Sequence, residues 1–198
     1  MLYTLLQTFL KALFTLFFRA RIIEKANLPL SGSVILAANH QSNWDPPLLA
    51  AFLERPVSYM AKKELFDVPV LGAIITSCHS FPVKRGAADR GAIKTALKVL
   101  KLQNCLGLFP EGTRSKDGRI HKAESGVALL AALSGAPVVP AAIIGTSHIF
   151  KLGSFFPQLS VVYGAPLRFE GNHKDKAALE EFSQRIMDAI EQMIQENS

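Results

Sequence analysis

His40 and Asp45, in the run Asn39-His40-Gln41-Ser42-Asn43-Trp44-Asp45-Pro46, bring together the residue types of a general base and of the carboxylate that orients it. On a continuous helix their spacing would turn the two side chains roughly 140° apart. They can meet only if the chain turns between them. Val34-Ile35-Leu36-Ala37-Ala38 reads as a buried strand running into Asn39, and Asp45-Pro46-Pro47 before Leu48-Leu49-Ala50-Ala51-Phe52-Leu53 reads as a helix start. A strand, a tight loop and a helix N-terminus would put both groups at one sheet edge. Two structural alternatives stand beside this: Asp before Pro is an ordinary N-cap, and a His closing a strand is often a hydrogen-bonded core residue.

A second candidate is Phe109-Pro110-Glu111-Gly112-Thr113-Arg114-Ser115, directly after the apolar run Cys105-Leu106-Gly107-Leu108-Phe109. Gly112 lets the backbone turn and approach a ligand, Thr113 and Ser115 offer hydroxyls, and Arg114 offers the planar fork that matches phosphate. The combination reads as an anion site containing one carboxylate, Glu111. The competing interpretation is a polar surface turn, because Ser115-Lys116-Asp117-Gly118-Arg119 is turn-like.

Taken together, N-H-Q-S-N-W-D and F-P-E-G-T-R-S resemble signatures of the glycerolipid acyltransferase family, most closely its branch acting on 1-acyl-sn-glycerol 3-phosphate. Lys62-Lys63-Glu64-Leu65-Phe66-Asp67-Val68-Pro69-Val70-Leu71-Gly72, Phe81-Pro82-Val83-Lys84-Arg85 and Val138-Val139-Pro140-Ala141-Ala142-Ile143 resemble further blocks in the same order. One stretch departs: where the family usually shows Phe-Lys-x-Gly, this chain has Lys122-Ala123-Glu124-Ser125-Gly126, and no role is carried over to Glu124.

The resemblance implies an α/β fold, a central mostly mixed-direction sheet flanked by helices, of the glycerol-3-phosphate acyltransferase-like type. It implies transfer of a fatty acyl group from acyl-CoA or acyl carrier protein to the sn-2 hydroxyl of lysophosphatidic acid, giving phosphatidic acid. His40 would take the hydroxyl proton and Asp45 would hold the imidazole. Transfer would be direct, because no nucleophile is nominated next to the base. Arg114 with Gly112 and Thr113 would seat the acceptor phosphate, Lys62 and Arg85 would add positive charge, and Glu111 would orient a basic partner or a glycerol hydroxyl. No cofactor and no metal is expected, since a thioester already supplies an activated carbonyl and a thiolate leaving group. The alternatives are acylation of glycerol 3-phosphate or another lysolipid by the same chemistry, and a non-catalytic basic module that binds anionic lipid. His40 and Asp45 argue against the last, because lipid binding needs no general base.

Composition agrees. A chain of 198 residues can bury a sizeable core. An apolar fraction of 49% is high for a fully solvated protein, while a charged fraction of 19% is too large for a polytopic membrane protein. The net charge is +6, and between Lys62 and Lys122 twelve Lys/Arg face five Asp/Glu. On an expected helix from Ala88 to Gln103, Arg90, Lys94, Lys98 and Lys101 line one face and Ile93, Leu97 and Leu100 another, as a solvated face or a surface for anionic partners. Nucleic acid fits poorly, because the aromatic residues sit in apolar runs without a recognisable motif. Cys78 and Cys105 have no metal-ligand spacing and make no disulfide framework. No G-x-S-x-G or H-E-x-x-H motif supports a serine or zinc hydrolase.

From Leu2 to Phe18 the chain is rich in Leu and Phe, while Thr4, Gln7, Thr8, Lys11 and Thr15 draw one polar stripe down a helix. Such a helix lies on a membrane better than it crosses one: it is short for a span, and Lys11 near its middle would cost about 2.5 to 3.5 kcal/mol at a bilayer centre. Arg19 and Arg21 follow, placed for anionic headgroups. The alternative is a terminal helix docked on the protein's own core; a signal peptide is disfavoured because no basic residue precedes the apolar run. The expected organisation is an amphipathic membrane helix over residues 1–24 and a single catalytic domain over 25–198, at the cytoplasmic face of the cell membrane.

The positioning elements follow from alternating runs. Strands are expected near Val34–Ala38, Val57–Ala61, Phe81–Val83, Cys105–Phe109, Val138–Ile144 and Leu159–Tyr163, with helical patterns between most of them. A last helix near Lys176–Gln195 carries Leu179, Phe182, Ile186, Ile190 and Met193 on one face.

Overall fold

Five-residue apolar runs such as Val34–Ala38 have no polar face to give to water, so they fold as central strands covered on both sides. The computed structural model describes residues 2–83, 89–115, 117–151, 153 and 155–198. Among these, seven strands form one sheet: β1 (Arg21–Ile23), β2 (Val34–Ala38), β3 (Val57–Lys62), β4 (Phe81–Val83), β5 (Cys105–Leu108), β6 (Val138–Ile144) and β7 (Ser160–Tyr163). Their order is β1-β7-β6-β2-β5-β3-β4. Within this order β6 and β7 pair antiparallel and every other neighbouring pair is parallel. The sheet is thus mixed in direction, through one reversed strand pairing in a mostly parallel array.

Among the described residues six α-helices accompany it: α1 (Leu2–Leu16), α2 (Asp45–Phe52), α3 (Leu71–Ser77), α4 (Arg90–Lys101), α5 (Gly126–Ser134) and α6 (Lys176–Asn197). Side chains alternate across each strand and so feed two cores. Leu36 and Ala38 of β2 join Phe14 of α1 and Leu48 and Leu49 of α2 on one face. Ile35 and Ala37 join Leu100 of α4, Leu130 of α5 and Phe182, Ile186 and Ile190 of α6 on the other. The expected apolar face of the last helix is buried as anticipated.

Two expectations are revised. Arg21–Ile23, placed by sequence within the membrane-helix stretch, form β1 and pair with Ser160–Val162 of β7. The short segment lacks a period of its own and is fixed only by its partner. The N-terminal helix is amphipathic in a more complicated way than one stripe. It docks through Leu10, Leu13 and Phe14 on the α2 side of the core, and its Gln7 Nε2 donates to the carbonyls of Ala50 at 2.9 Å and Leu53 at 2.6 Å. Gln7 therefore satisfies carbonyls at the end of α2 and is no part of a solvated stripe.

Leu2, Leu5, Phe9 and Leu16 form a different, exposed apolar face of α1, while Thr4, Thr8, Lys11 and Thr15 stay exposed on a third. Among the described residues no helix is long and apolar enough to cross a membrane.

Candidate active site

Because β6, β2, β5 and β3 run parallel, their C-terminal ends share one edge, the usual place for ligands in such sheets. From that edge β2 delivers Asn39–Asp45, β5 delivers Phe109–Ser115 and β6 delivers Thr146–His148. The two motifs distant in sequence are neighbours because β2 and β5 are hydrogen-bonded partners.

The turn required between His40 and Asp45 is present. His40 Nδ1 lies 2.8 Å from Asp45 Oδ2. Asp45 is the first residue of α2, Trp44 occupies the N-cap position, and Pro46 and Pro47 preset the first turn. The Asp45 carboxylate does not cap its own helix. It turns back to accept from the Gln41 amide at 2.7 Å and the Ser42 amide at 2.8 Å, while its Oδ1 accepts from the Thr146 hydroxyl at 2.5 Å. Asp45 is fully buried, so these donors replace the water it has lost. Asn39 fixes the loop's origin by donating to the Ile143 carbonyl at 2.9 Å and accepting from the Ile143 amide at 2.7 Å.

The Phe109–Ser115 loop grips His40 at three points. Glu111 Oε1 accepts from the His40 amide at 3.0 Å, the Ser115 amide donates to the His40 carbonyl at 2.8 Å, and the Phe109 ring stacks on the imidazole. Glu111 is buried, and its Oε2 accepts from the His121 amide at 3.2 Å. Both Glu111 oxygens thus accept from backbone amides, and the side chain clamps the His40 and His121 segments together. Gly112 turns at φ 68°, and a Cβ there would stand 3.3 Å from Glu124 Cγ.

Thr113 and Arg114 are exposed and line a cleft of about 850 Å³ with Gln41, Ser147, His148 and Lys151. Asp117 on the same rim accepts from the Arg119 amide, the Ser115 hydroxyl and His121, which together hold its carboxyl down to about 2. Lys62 stands at the end of β3, exposed, 3.9 Å from Glu64. Arg85 lies outside the described residues. The structure thus gathers His40, Asp45, Glu111, Gly112, Thr113 and Arg114, with Lys62 at the end of the same parallel array.

Sequence reasoning missed Thr146, the Phe109 stack, the Asn39 clamp, and His148 and Lys151 on the cleft. The available signal was Gly145-Thr146-Ser147-His148, a polar run closing a buried strand.

Among the described residues no group of three His, Cys, Asp or Glu side chains could hold a metal ion. A buried imidazole–carboxylate pair beside an arginine-lined cleft, at the carboxyl edge of a parallel sheet, suits proton removal from an alcohol that carries an anionic group. The acyltransferase family model matches residues 19–144, and the chain belongs to that family. It is 34% identical over 162 residues to the 1-acyl-sn-glycerol-3-phosphate acyltransferase of Bacillus subtilis (strain 168), covering 80% of this chain and 78% of that protein. It is 33% identical over 141 residues to a chloroplastic 1-acyl-sn-glycerol-3-phosphate acyltransferase of Brassica napus, covering 70% of this chain and 41% of that longer protein. The crystal structure of the 1-acyl-sn-glycerophosphate acyltransferase of Thermotoga maritima matches with a TM-score of 0.78 at 27% identity, covering 96% of this chain and 79% of that one.

Proposed function

We propose that this chain transfers a fatty acyl group from an acyl thioester to the sn-2 hydroxyl of 1-acyl-glycerol 3-phosphate, producing phosphatidic acid. The observation that carries the mechanism is the 2.8 Å contact between His40 Nδ1 and Asp45 Oδ2. With Nδ1 committed to the carboxylate, Nε2 is the nitrogen that serves the acceptor. Nε2 removes the hydroxyl proton as the oxygen attacks the thioester carbonyl. The tetrahedral intermediate then collapses, the thiolate leaves, and the imidazolium returns the proton to it. Asp45 fixes the ring and stabilises its cationic form. Arg114, aided by His148 and Lys151, seats the acceptor phosphate in the cleft.

A largely apolar cavity of about 210 Å³, lined by Met60, Ile93, Leu108, Phe109, Val127 and Leu130 with Glu124 also in its wall, takes acyl-chain methylenes. Most of its lining belongs to the core under α4 and α5, and Phe109, which packs with the core on the other face, is the residue it has in common with the His40 stack. The acyl donor is a coenzyme A or carrier-protein thioester. Residues of the sheet and its helices, β1 included, act as one catalytic domain.

Association with a membrane surface rests on the exposed apolar face of α1. Phe17, Phe150, Phe155 and Phe156, all exposed, extend it. Phe17 meets Phe156 at 5.7 Å between ring centroids, and Phe150 lies two residues beyond His148 on the cleft. An acceptor lipid can thus leave its tail in the bilayer while its glycerophosphate enters the cleft. Exposed Arg19 and Arg21 lie beside this surface for anionic headgroups.

The test is thiol release from palmitoyl-CoA and from palmitoyl carrier protein, each with 1-acyl-glycerol 3-phosphate, glycerol 3-phosphate and monoacylglycerol, with products identified by mass spectrometry. Phosphatidic acid is expected from the first acceptor with at least one donor. Turnover with glycerol 3-phosphate alone would replace the acceptor assignment, and no acyl transfer to any acceptor would leave only the lipid-binding module.

A further inference from the structure

We propose that Thr146 is a positioning residue for the reaction, its hydroxyl fixing the Asp45 carboxylate in the orientation that holds His40. This rests on His40 acting as the general base, and it assigns work to a residue outside both signature motifs.

The two oxygens of Asp45 are used unequally. Oδ2 accepts from His40 Nδ1 and from the Gln41 and Ser42 amides at 2.7 to 2.8 Å. Oδ1 accepts from Thr146 Oγ1 at 2.5 Å, across 101 residues of chain. Both residues are sealed from solvent, Asp45 at 0% and Thr146 at 1% exposure. Water therefore has poor access to stand in for a missing hydroxyl. Without the Thr146 donor, a buried carboxylate oxygen loses a charge-assisted bond and is left poorly satisfied. Rotation about the carboxylate axis to recruit another donor for Oδ1 would withdraw Oδ2 from the imidazole. The Thr146 bond blocks that rotation.

The backbone around Thr146 is built to deliver this hydroxyl. Gly145 turns the chain at φ 92°, and a Cβ there would lie 2.4 Å from the Gln158 carbonyl oxygen, so the turn is confined to glycine without a shift of β7's approach. Just before it, the paired bonds between Asn39 and Ile143 tie the end of β6 to the start of the His40 loop. The two strand ends are thus locked by the Asn39 side chain on the Ile143 backbone and by the side-chain bond between Thr146 and Asp45. The Thr146 side chain is β-branched and stiff at χ1, which suits a fixed donor.

The experiment compares Thr146→Val, Thr146→Ser and Thr146→Ala with His40→Ala and Asp45→Asn, measuring kcat and both KM values together with thermal unfolding. Thr146→Val is expected to lose about 10- to 100-fold in kcat, on the scale known for partners that orient metal-bound histidines from behind, with KM for donor and acceptor unchanged. Thr146→Ser should recover most of that loss, because the hydroxyl returns. In an Asp45→Asn background Thr146→Val should add little further loss, since both changes act on one contact.

Wild-type kcat in folded Thr146→Val, or the same fold-loss in the Asp45→Asn background, would overturn the proposal. So would raised KM values with unchanged kcat, which would mark a general packing role. If Thr146→Val does not fold, Thr146→Ala against Thr146→Ser isolates the hydroxyl and is judged by the same criteria. Near-normal turnover in His40→Ala would remove the base itself, an outcome distinct from failure at Thr146.

Discussion

The imidazole of His40 lies against the ring of Phe109, with centroids 4.0 Å apart and planes 20° apart, and Tyr59 continues the stack behind Phe109 at 6.0 Å and 12°. Tyr59 can lie there because Gly107 on the adjacent strand has no side chain; a Cβ would stand 2.3 Å from the Tyr59 ring. Together with the Glu111 and Ser115 bonds to the His40 backbone, the stack makes the Phe109–Ser115 loop a holder for the imidazole as well as a wall of the cleft.

Phe109→Leu keeps the residue apolar and removes the ring face. Aromatic stacking is worth about 0.5 to 1.5 kcal/mol beyond area burial, so kcat/KM should fall about 2- to 10-fold through looser placement of the imidazole. Steady-state kinetics on the folded variant checks this, and an unchanged value would show that the hydrogen bonds alone hold His40.

His40→Ala should lower turnover about 10²- to 10⁴-fold, the usual cost of losing a general base, while vesicle association is kept because α1 is untouched. Asp45→Asn should follow it, since an amide cannot accept all the bonds that converge on Oδ1 and Oδ2. A folded His40→Ala enzyme turning over at the normal rate would exclude the mechanism.

Much of this arrangement was legible in the chain, and what was not has a physical reason. Val34–Ala38, Phe81–Val83 and Val138–Ile144 are strands with the expected ends, because buried runs bounded by turn residues have few alternatives. The three-residue strand β1 was invisible, since its structure comes from pairing with β7. His40 and Asp45 could be nominated from residue type and a required turn. Thr146 could not, because its partner is 101 residues away and a hydroxyl after a strand is common. Glu111 was found as a residue of interest, but its backbone partners were not legible: nothing in Pro110-Glu111-Gly112 says that both carboxylate oxygens meet backbone amides.

Arg114→Ala should raise the acceptor KM much more than the donor KM, and Arg114→Lys should not restore it, because an ammonium cannot reproduce the planar fork. Initial rates with each substrate varied in turn separate the two. An equal rise for both would assign Arg114 to the architecture of the loop, and full activity on monoacylglycerol would remove the phosphate from recognition.

Burial pushes the Cys105 thiol up to about 12 and raises that of Cys78 as well. A thiol whose pKa is raised forms thiolate only as pH climbs towards that value, so at pH 8 both remain protonated and poorly nucleophilic. Iodoacetamide at pH 8 should leave turnover unchanged, and no acyl-cysteine should appear by mass spectrometry during turnover. Rapid inactivation protected by acyl donor would instead point to a covalent route through a thiol.

The three faces of α1 predict three different phenotypes. Glu at Leu5, Phe9 and Leu16, which are 68%, 62% and 74% exposed, puts charge on a surface with no protein to cover it. These changes should release the enzyme from anionic vesicles while thermal stability is kept. Glu at Leu10 and Phe14 meets the core instead and should destabilise the fold, because a buried unpaired carboxylate costs several kcal/mol, on the order of the whole stability of a domain. Leu6 and Leu13 belong with this docked side rather than with the exposed apolar side, since both are partly buried and Leu13 packs on the core. Glu at Thr4, Thr8 and Thr15 falls on the exposed polar face and should do neither. Vesicle flotation paired with thermal melts reads all three, and the released variant should still acylate a water-dispersed short-chain acceptor, because the His40–Asp45 pair is untouched. Release by the polar-face set as strong as by the Leu5, Phe9 and Leu16 set would show that charge alone, and no particular face of α1, governs the association.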